Sequence, residues 1–274
     1  MRAVATAAIQ VSRPALELGP DVPRYWYRGE PFATHYLDAL SSVFPDGEAF
    51  FVRSVQRYRD RIDDPELARA ILGFAGQEGQ HSQQHDKHLA LLAAHGYGAL
   101  ARMNRAGDVI MRFVNRHAPR FALASTAALE HLTALLARRI LEDDSRFTAA
   151  MDPRMAALWR WHALEEAEHK TVAFDVLRRV APSYLLRALA LFWNTVGLFI
   201  EMLVRTSYML WKDGELARAS NWRDGWSFLF GREGLLRGVG RDYRRWYRRD
   251  FHPSQIDDSA LLEAWRPLVA PNSH

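Results

Sequence analysis

A chain of 274 residues with 49% hydrophobic side chains can bury a large core, as one domain or as one domain with an appendage. It contains no cysteine, which excludes disulfides, thiolate metal sites and cysteine nucleophiles, so a bound metal must be held by nitrogen and oxygen. The net charge is only +4, too small and too local to mark the whole surface for a polyanion.

The first twenty residues show no continuous apolar core before Arg13 and Pro14, so no signal peptide is read and a cytoplasmic location is expected. No stretch alternates apolar and polar residues, and the pattern is helical throughout. After an irregular start, a short helix is expected over residues 32–42. The Phe44-Pro45-Asp46-Gly47 break then opens the first bundle helix, which carries Glu48 and runs to about Ile62. Asp64-Pro65-Glu66 starts the second, with an N-cap acid followed by Pro; it runs to about Ala94 and stops at Gly96. Residues 99–118 read as a crossover with a short helix of its own. The third bundle helix is expected from Pro119 to around Asp143. Asp152-Pro153 repeats the start signal for the fourth, which ends before Pro182. The bundle with its N-terminal segment thus spans residues 1–182, and residues 183–274 form a helical extension packed on it.

Within that extension, residues 184–211 are very apolar but interrupted by Arg187, Glu201 and Arg205. The longest uncharged run, 188–200, is well short of the ~20 residues of a membrane span. A buried or dimer-forming helix is expected, with a lipid-contacting helix as the alternative. Residues 231–250 hold seven Arg against Glu233, Asp242 and Asp250, interleaved with Leu, Val, Tyr and Trp. Such a strip suits an anionic membrane surface or an acidic partner, or else a solvated helix docked by its aromatics. No nucleic-acid-binding motif accompanies it.

Two copies of Glu-x-x-His, Glu78/His81 and Glu166/His169, fall on the second and fourth bundle helices, each preceded by a helix with a lone Glu, Glu48 or Glu130. Residues three apart share a helix face, so each copy aims a carboxylate and an imidazole at one point. Four carboxylates and two imidazoles converging inside a bundle form the ligand set of a dinuclear metal centre. Glu130 lies in the most apolar bundle helix with no Lys or Arg within a turn, so burial demands a compensating cation; the alternative places it on a solvent stripe beside His131. His162 precedes Glu166 by four residues and His85 follows His81 by four. Either could supply a third nitrogen to one ion. His88 is expected behind the site or at the surface, and His35, His95, His117, His131 and His252 in structural roles. Glu and His without thiolate suit iron or manganese and tolerate zinc.

The segments FPDGEAFFVRSVQRYRDRI, GFAGQEGQHSQQH and WRWHALEEAEHKTVAFDV, with Pro23-Arg24-Tyr25-Trp26 and Asp250-Phe251-His252-Pro253, resemble the bacterial family of predicted metal-dependent hydrolases within the ferritin-like superfamily. The pattern His162-x-x-x-Glu166-x-x-His169 also resembles the helix of di-iron arylamine N-oxygenases that carries an extra histidine ligand. The resemblance implies an all-α, ferritin-like four-helix bundle. Its implied ligands are Glu48, Glu78, His81, Glu130, Glu166 and His169, with His162 as a seventh; His85 is not part of that pattern. The expected function is a di-iron oxygenase that uses O2 and an external electron donor on a small hydrophobic substrate. The alternative is a metal-dependent hydrolase in which Glu165 or Glu168 moves protons. Iron storage needs a hollow assembly, which the bulky aromatic tail disfavours.

Overall fold

The computed structural model describes residues 9–142 and 144–269, with residues 144 and 145 as backbone only. Residues 1–8 of the leader reading and Asp143, the expected end of the third bundle helix, lie outside the described residues. The described chain is all-helical, with one isolated antiparallel bridge between Tyr27 and Met151 and no sheet among these residues.

Helix α1 (Pro31–Gln56) packs on α2 (Pro65–Ala94) as one hairpin. A second hairpin joins α4 (Pro119–Glu142) to α6 (Pro153–His169) by way of α5 (Asp144–Phe147), and α3 (Ala99–His117) is the crossover between the two. The two acid-Pro starts hold by local chemistry. Asp64 accepts from the Glu66 and Leu67 amides, and Asp152 from the Arg154 amide, satisfying donors that a helix start leaves free. At the far end of α2 the chain turns at Gly96, whose φ of 102° favours glycine.

Two expected boundaries differ. Pro45 does not break the chain; α1 runs through it as a single helix of 26 residues. A proline there loses one helical hydrogen bond and crowds the turn before it. Burial of Phe44, Pro45 and Glu48 holds the helix together, and the Asn104 side chain donates to the Ser42 carbonyl in the same turn at 2.7 Å. Conversely, the fourth bundle helix is interrupted directly after His169. The turn at Lys170 and Thr171 separates α6 from α7 (Val172–Val180), and Lys170 bonds outward to the Ile256 carbonyl at 2.6 Å.

The buried apolar residues form two clusters, one around Leu37, Leu40, Phe44, Leu92, Met155 and Trp159, the other around Phe51, Ile71, Phe74, Leu123 and Phe174. Each of α1, α2 and α4 passes from one cluster to the other through a buried polar layer, as does the α6–α7 pair. That layer holds Glu48, Glu78, His81, Glu130, Glu166 and His169.

After Pro182, α8 (Tyr184–Lys212) lies across α1 and α4, α9 (Ala219–Phe230) rests on α1, α10 (Val239–Arg245) on α4, and α11 (Ser259–Val269) on α6 and α4. Helix α8 is long and apolar enough to cross a membrane by length and composition. Its bundle-facing side nevertheless carries its two arginines. Arg205 bonds Asn104 at 2.7 Å and Glu201 at 2.8 Å, and Arg187 bonds the Arg248 carbonyl at 2.6 Å.

Candidate metal centre

All four lone or paired glutamates come together. The His169 Nε2 lies 3.2 Å from Glu78 and 3.3 Å from Glu130. Glu130 is 1% exposed, which removes the solvent-stripe alternative. The His81 Nδ1 is 3.9 Å from both Glu78 and Glu166, and its Nε2 is 3.1 Å from Glu165. Candidate ligand atoms within 4.8 Å of one another form overlapping groups: Glu48, Glu78 and His81; Glu78, Glu166 and His169; His81, His162 and Glu166; Glu48, His85 and His162. His85 and His162 therefore both belong to the cluster, joined by a 2.6 Å hydrogen bond.

Close approach here is not pairing. Glu48 Oε1, both oxygens of Glu78 and of Glu130, both nitrogens of His81 and Nε2 of His169 are buried without an aligned hydrogen-bond partner, although several lie within ion-pair distance of each other. Buried polar atoms left so are costly, and native folds seldom keep several together. Buried ligand atoms gathered within 4.8 Å of one another and left unpaired fit a cation among them. The donor set, carboxylate and imidazole, suits a metal centre.

Without ions the layer balances its charge by protonation. Burial, reinforced by Glu78, pushes Glu48 and Glu130 well above the ordinary carboxylate range. Burial opposes ionisation of Glu78 and Glu166 too, but imidazoles override it. His169 and His81 hold Glu78 down, and His162 and His169 hold Glu166 well down. Against the same desolvation, Glu165 and Glu78 raise His81 to about 10, and Glu130 is foremost in raising His169 well above its usual value. Burial lowers His85 and His162, assisted by His162 on the former and His81 on the latter.

The groups around the layer fix its orientation. Gln77 shares a 2.9 Å bond with His169 Nδ1, turning Nε2 inward. Thr133 donates to Glu166 at 2.5 Å, and Ser82 to Glu48 at 2.9 Å. Glu165 backs His81, and its other oxygen accepts from Trp161 at 3.0 Å and from Ser12. Glu168 does not face the layer; Arg266 binds it at 2.7 Å and Gln77 at 3.0 Å. Residues 9–12 run as a strap over α2, where the Gln10 carbonyl accepts from Gln77 at 2.9 Å. Gly73 and Gly76 make room for it, since a Cβ at Gly76 would meet Val11 at 2.5 Å.

A polar chain leaves the layer on the α1 side. His85 shares a 2.7 Å bond with Ser41, which shares one of 2.6 Å with His88. His88 lies 3.2 Å from Asp38, Asp38 is 3.3 Å from His35, and His35 shares a 2.9 Å bond with Asp213, which Arg24 pairs at 2.6 Å. His88 and His35 are thus buried members of one network, which the sequence reading left out together with Ser41 and Asp38. His131 is buried and stacks on Trp246, and His252 pairs with Asp175 at 2.9 Å.

On another side, Glu166, His162 and Thr133 line a small, otherwise apolar cavity of about 20 Å³, room for about one water, with Leu37, Leu40, Phe44, Trp159 and Leu235. No curated protein and no solved structure matches the chain. A family model does match, over residues 10–257, and the chain belongs to that family, the predicted metal-dependent hydrolases.

Proposed function

We propose that this protein is a two-metal enzyme in which Glu48, Glu78, His81, Glu130, Glu166 and His169 hold the ions and His162 and His85 supply further nitrogen. The observation that carries this reading is the set of buried, unpartnered carboxylate and imidazole atoms directed at shared points. Two divalent ions would neutralise the four glutamates and supply Lewis-acid activation of a substrate and a water, or, as iron, electrons for O2.

Family membership supports hydrolysis of an ester, amide or phosphate as the reaction. The chain's own groups then divide the work. Glu165 and Gln77 orient His81 and His169 from behind. Glu166 is the carboxylate on the pocket wall placed to take a proton from the attacking water, and His162, 3.0 Å from it, links it to His85 and Ser41. Leu235, Phe44 and Trp159 exclude bulk water. Glu168, held away by Arg266, has no part in proton transfer.

One observation favours a second reading, O2-dependent oxidation by a di-iron centre with an external electron donor. The pocket wall is apolar and offers Thr133 as its one neutral hydroxyl, which is already bonded to Glu166. That lining suits a C–H or N–H substrate better than a developing oxyanion. The test is to load the ion-free protein anaerobically with manganese, zinc or iron, then measure cleavage of small aryl esters and uptake of O2. Ester cleavage by the manganese or zinc form without O2 supports hydrolysis. O2 consumption by the iron form with no cleavage by any form replaces it with oxidation. Failure to bind two ions defeats both.

A further inference from the structure

Helix α8 turns both its arginines to the protein, among Ala190, Leu191, Met202, Met209 and Leu210, and leaves a second apolar face to solvent. Leu185, Leu189, Phe192, Trp193, Val196 and Phe199 are exposed, with Trp193 at 59% and Phe199 at 64%, and the stripe continues through Ile200, Leu203, Val204 and Trp211. At about 100° per residue these positions fall in an arc of roughly 140°, one continuous face along the helix. Glu201 is the only charge exposed within that span, and it is tied to Arg205. An apolar face of this extent marks an interaction surface.

What lies beside the face identifies its partner. Helix α10 and the turn after it run along the N-terminal half of α8: Tyr243 bonds Thr195 at 3.1 Å, Tyr184 bonds the Tyr247 carbonyl at 3.0 Å, and Arg249 stands over the Tyr184 ring at 4.8 Å. This segment exposes Arg241, Arg244, Arg248 and Arg249. Its acids are already engaged, Asp242 by Arg245 and Asp250 by Arg248, while Arg241 and Arg244 have no ion pair among the described residues. A row of exposed arginines along an apolar, Trp-bearing ridge matches a bilayer surface that offers acyl chains to the ridge and anionic headgroups to the row. A second copy of the chain would cover the ridge but bring no acidic row to the arginines, since α8 exposes only Glu201.

We propose that the exposed face of α8 and the adjoining arginines of α10 form a docking surface for anionic lipid bilayers, on which α8 lies flat without crossing. The buried bonds of Arg187 and Arg205 keep the helix on the bundle while its outer face enters the headgroup boundary.

The intact chain tested against sedimenting vesicles decides this. It should sediment with vesicles containing 30% phosphatidylserine, stay in solution with pure phosphatidylcholine, and be released as salt is raised, because exposed charges are screened beyond about 10 Å at 0.1 M. Arg241→Glu with Arg244→Glu should lower the partition coefficient about tenfold or more. Phe192→Ser with Phe199→Ser should abolish partition, and both variants should keep the wild-type helical circular dichroism. Wild-type protein that fails to sediment at low salt overturns the proposal. So does a concentration-dependent dimer, seen by sedimentation velocity, that Phe192→Ser with Phe199→Ser dissolves in the absence of any vesicle binding. Undiminished vesicle binding by both variants overturns it as well.

Discussion

Loading the centre with metal should expel about three to four protons per two ions: one from Glu48, one from His81, and one or two from the coupled pair of Glu130 and His169. None of these groups can keep its proton as a ligand. Glu78 and Glu166 are already ionised, and His85 and His162 already neutral, so they release nothing. Each proton displaced is worth about 1.4 kcal/mol per pH unit, so overall affinity for two ions should rise by about 4–5 kcal/mol, roughly 10³- to 10⁴-fold, per pH unit around neutrality. The slope should flatten as pH approaches the His81 value of about 10. Calorimetric titration with manganese or zinc in buffers of different ionisation enthalpy counts the protons directly. Saturation by two ions with release of fewer than two protons would refute the charge balance inferred for the layer.

The same balance predicts how the ion-free protein responds to pH. His81 is raised from 6.5 to about 10 on folding, so its contribution is fully present below pH 6.5 and is lost as pH climbs through about 10. The ion-free melting temperature should therefore fall over that window and the metal-loaded one should not, by scanning calorimetry. Glu130→Gln should lose at least one ion per chain by elemental analysis yet melt higher than ion-free wild type at pH 8, because it removes a buried carboxyl. Gly79→Ala should stabilise by about 0.5–1 kcal/mol in urea titrations, since nothing stands within 4 Å of its Cβ on an exposed helix position. Gly76→Ala should lose stability, because the same methyl would collide with Val11.

Much of the centre was legible because its signals are local. Glu-x-x-His is a statement about one helix face, and the acid-Pro starts at Asp64 and Asp152 fix where those helices begin. Glu130 could be singled out because its neighbours are apolar. His35, Asp38 and Ser41, spaced by three, already share a face of the expected helix over 32–42, but nothing local ties that face to His85 and His88. Its continuity with Glu48, seven residues on, requires the helix to run through Pro45. A proline argues against that, and the buried contacts that outweigh it come from α2 and α3, far along the chain. The interruption after His169 carries no glycine or proline at all; it rests on Lys170 reaching the loop before α11. The burial of Arg187 and Arg205 on the inner face of α8 was equally unreadable, since an arginine looks alike in sequence whether it meets water or a buried carbonyl.

The strap of residues 9–12 is gripped at two times. Its α2 contacts lie within the first hairpin, whereas Trp161 and Glu165, the partners of Ser12, lie 149 and 153 positions later and hold it only once α6 has been synthesised and docked. Until then the edge of the polar layer formed by Gln77 and Glu165 faces water. Afterwards the strap is held by a few hydrogen bonds and two glycine notches, and it can detach while the bundle stays folded. Metal exchange in the mature protein should then follow the opening rate of four residues rather than the unfolding rate of the whole.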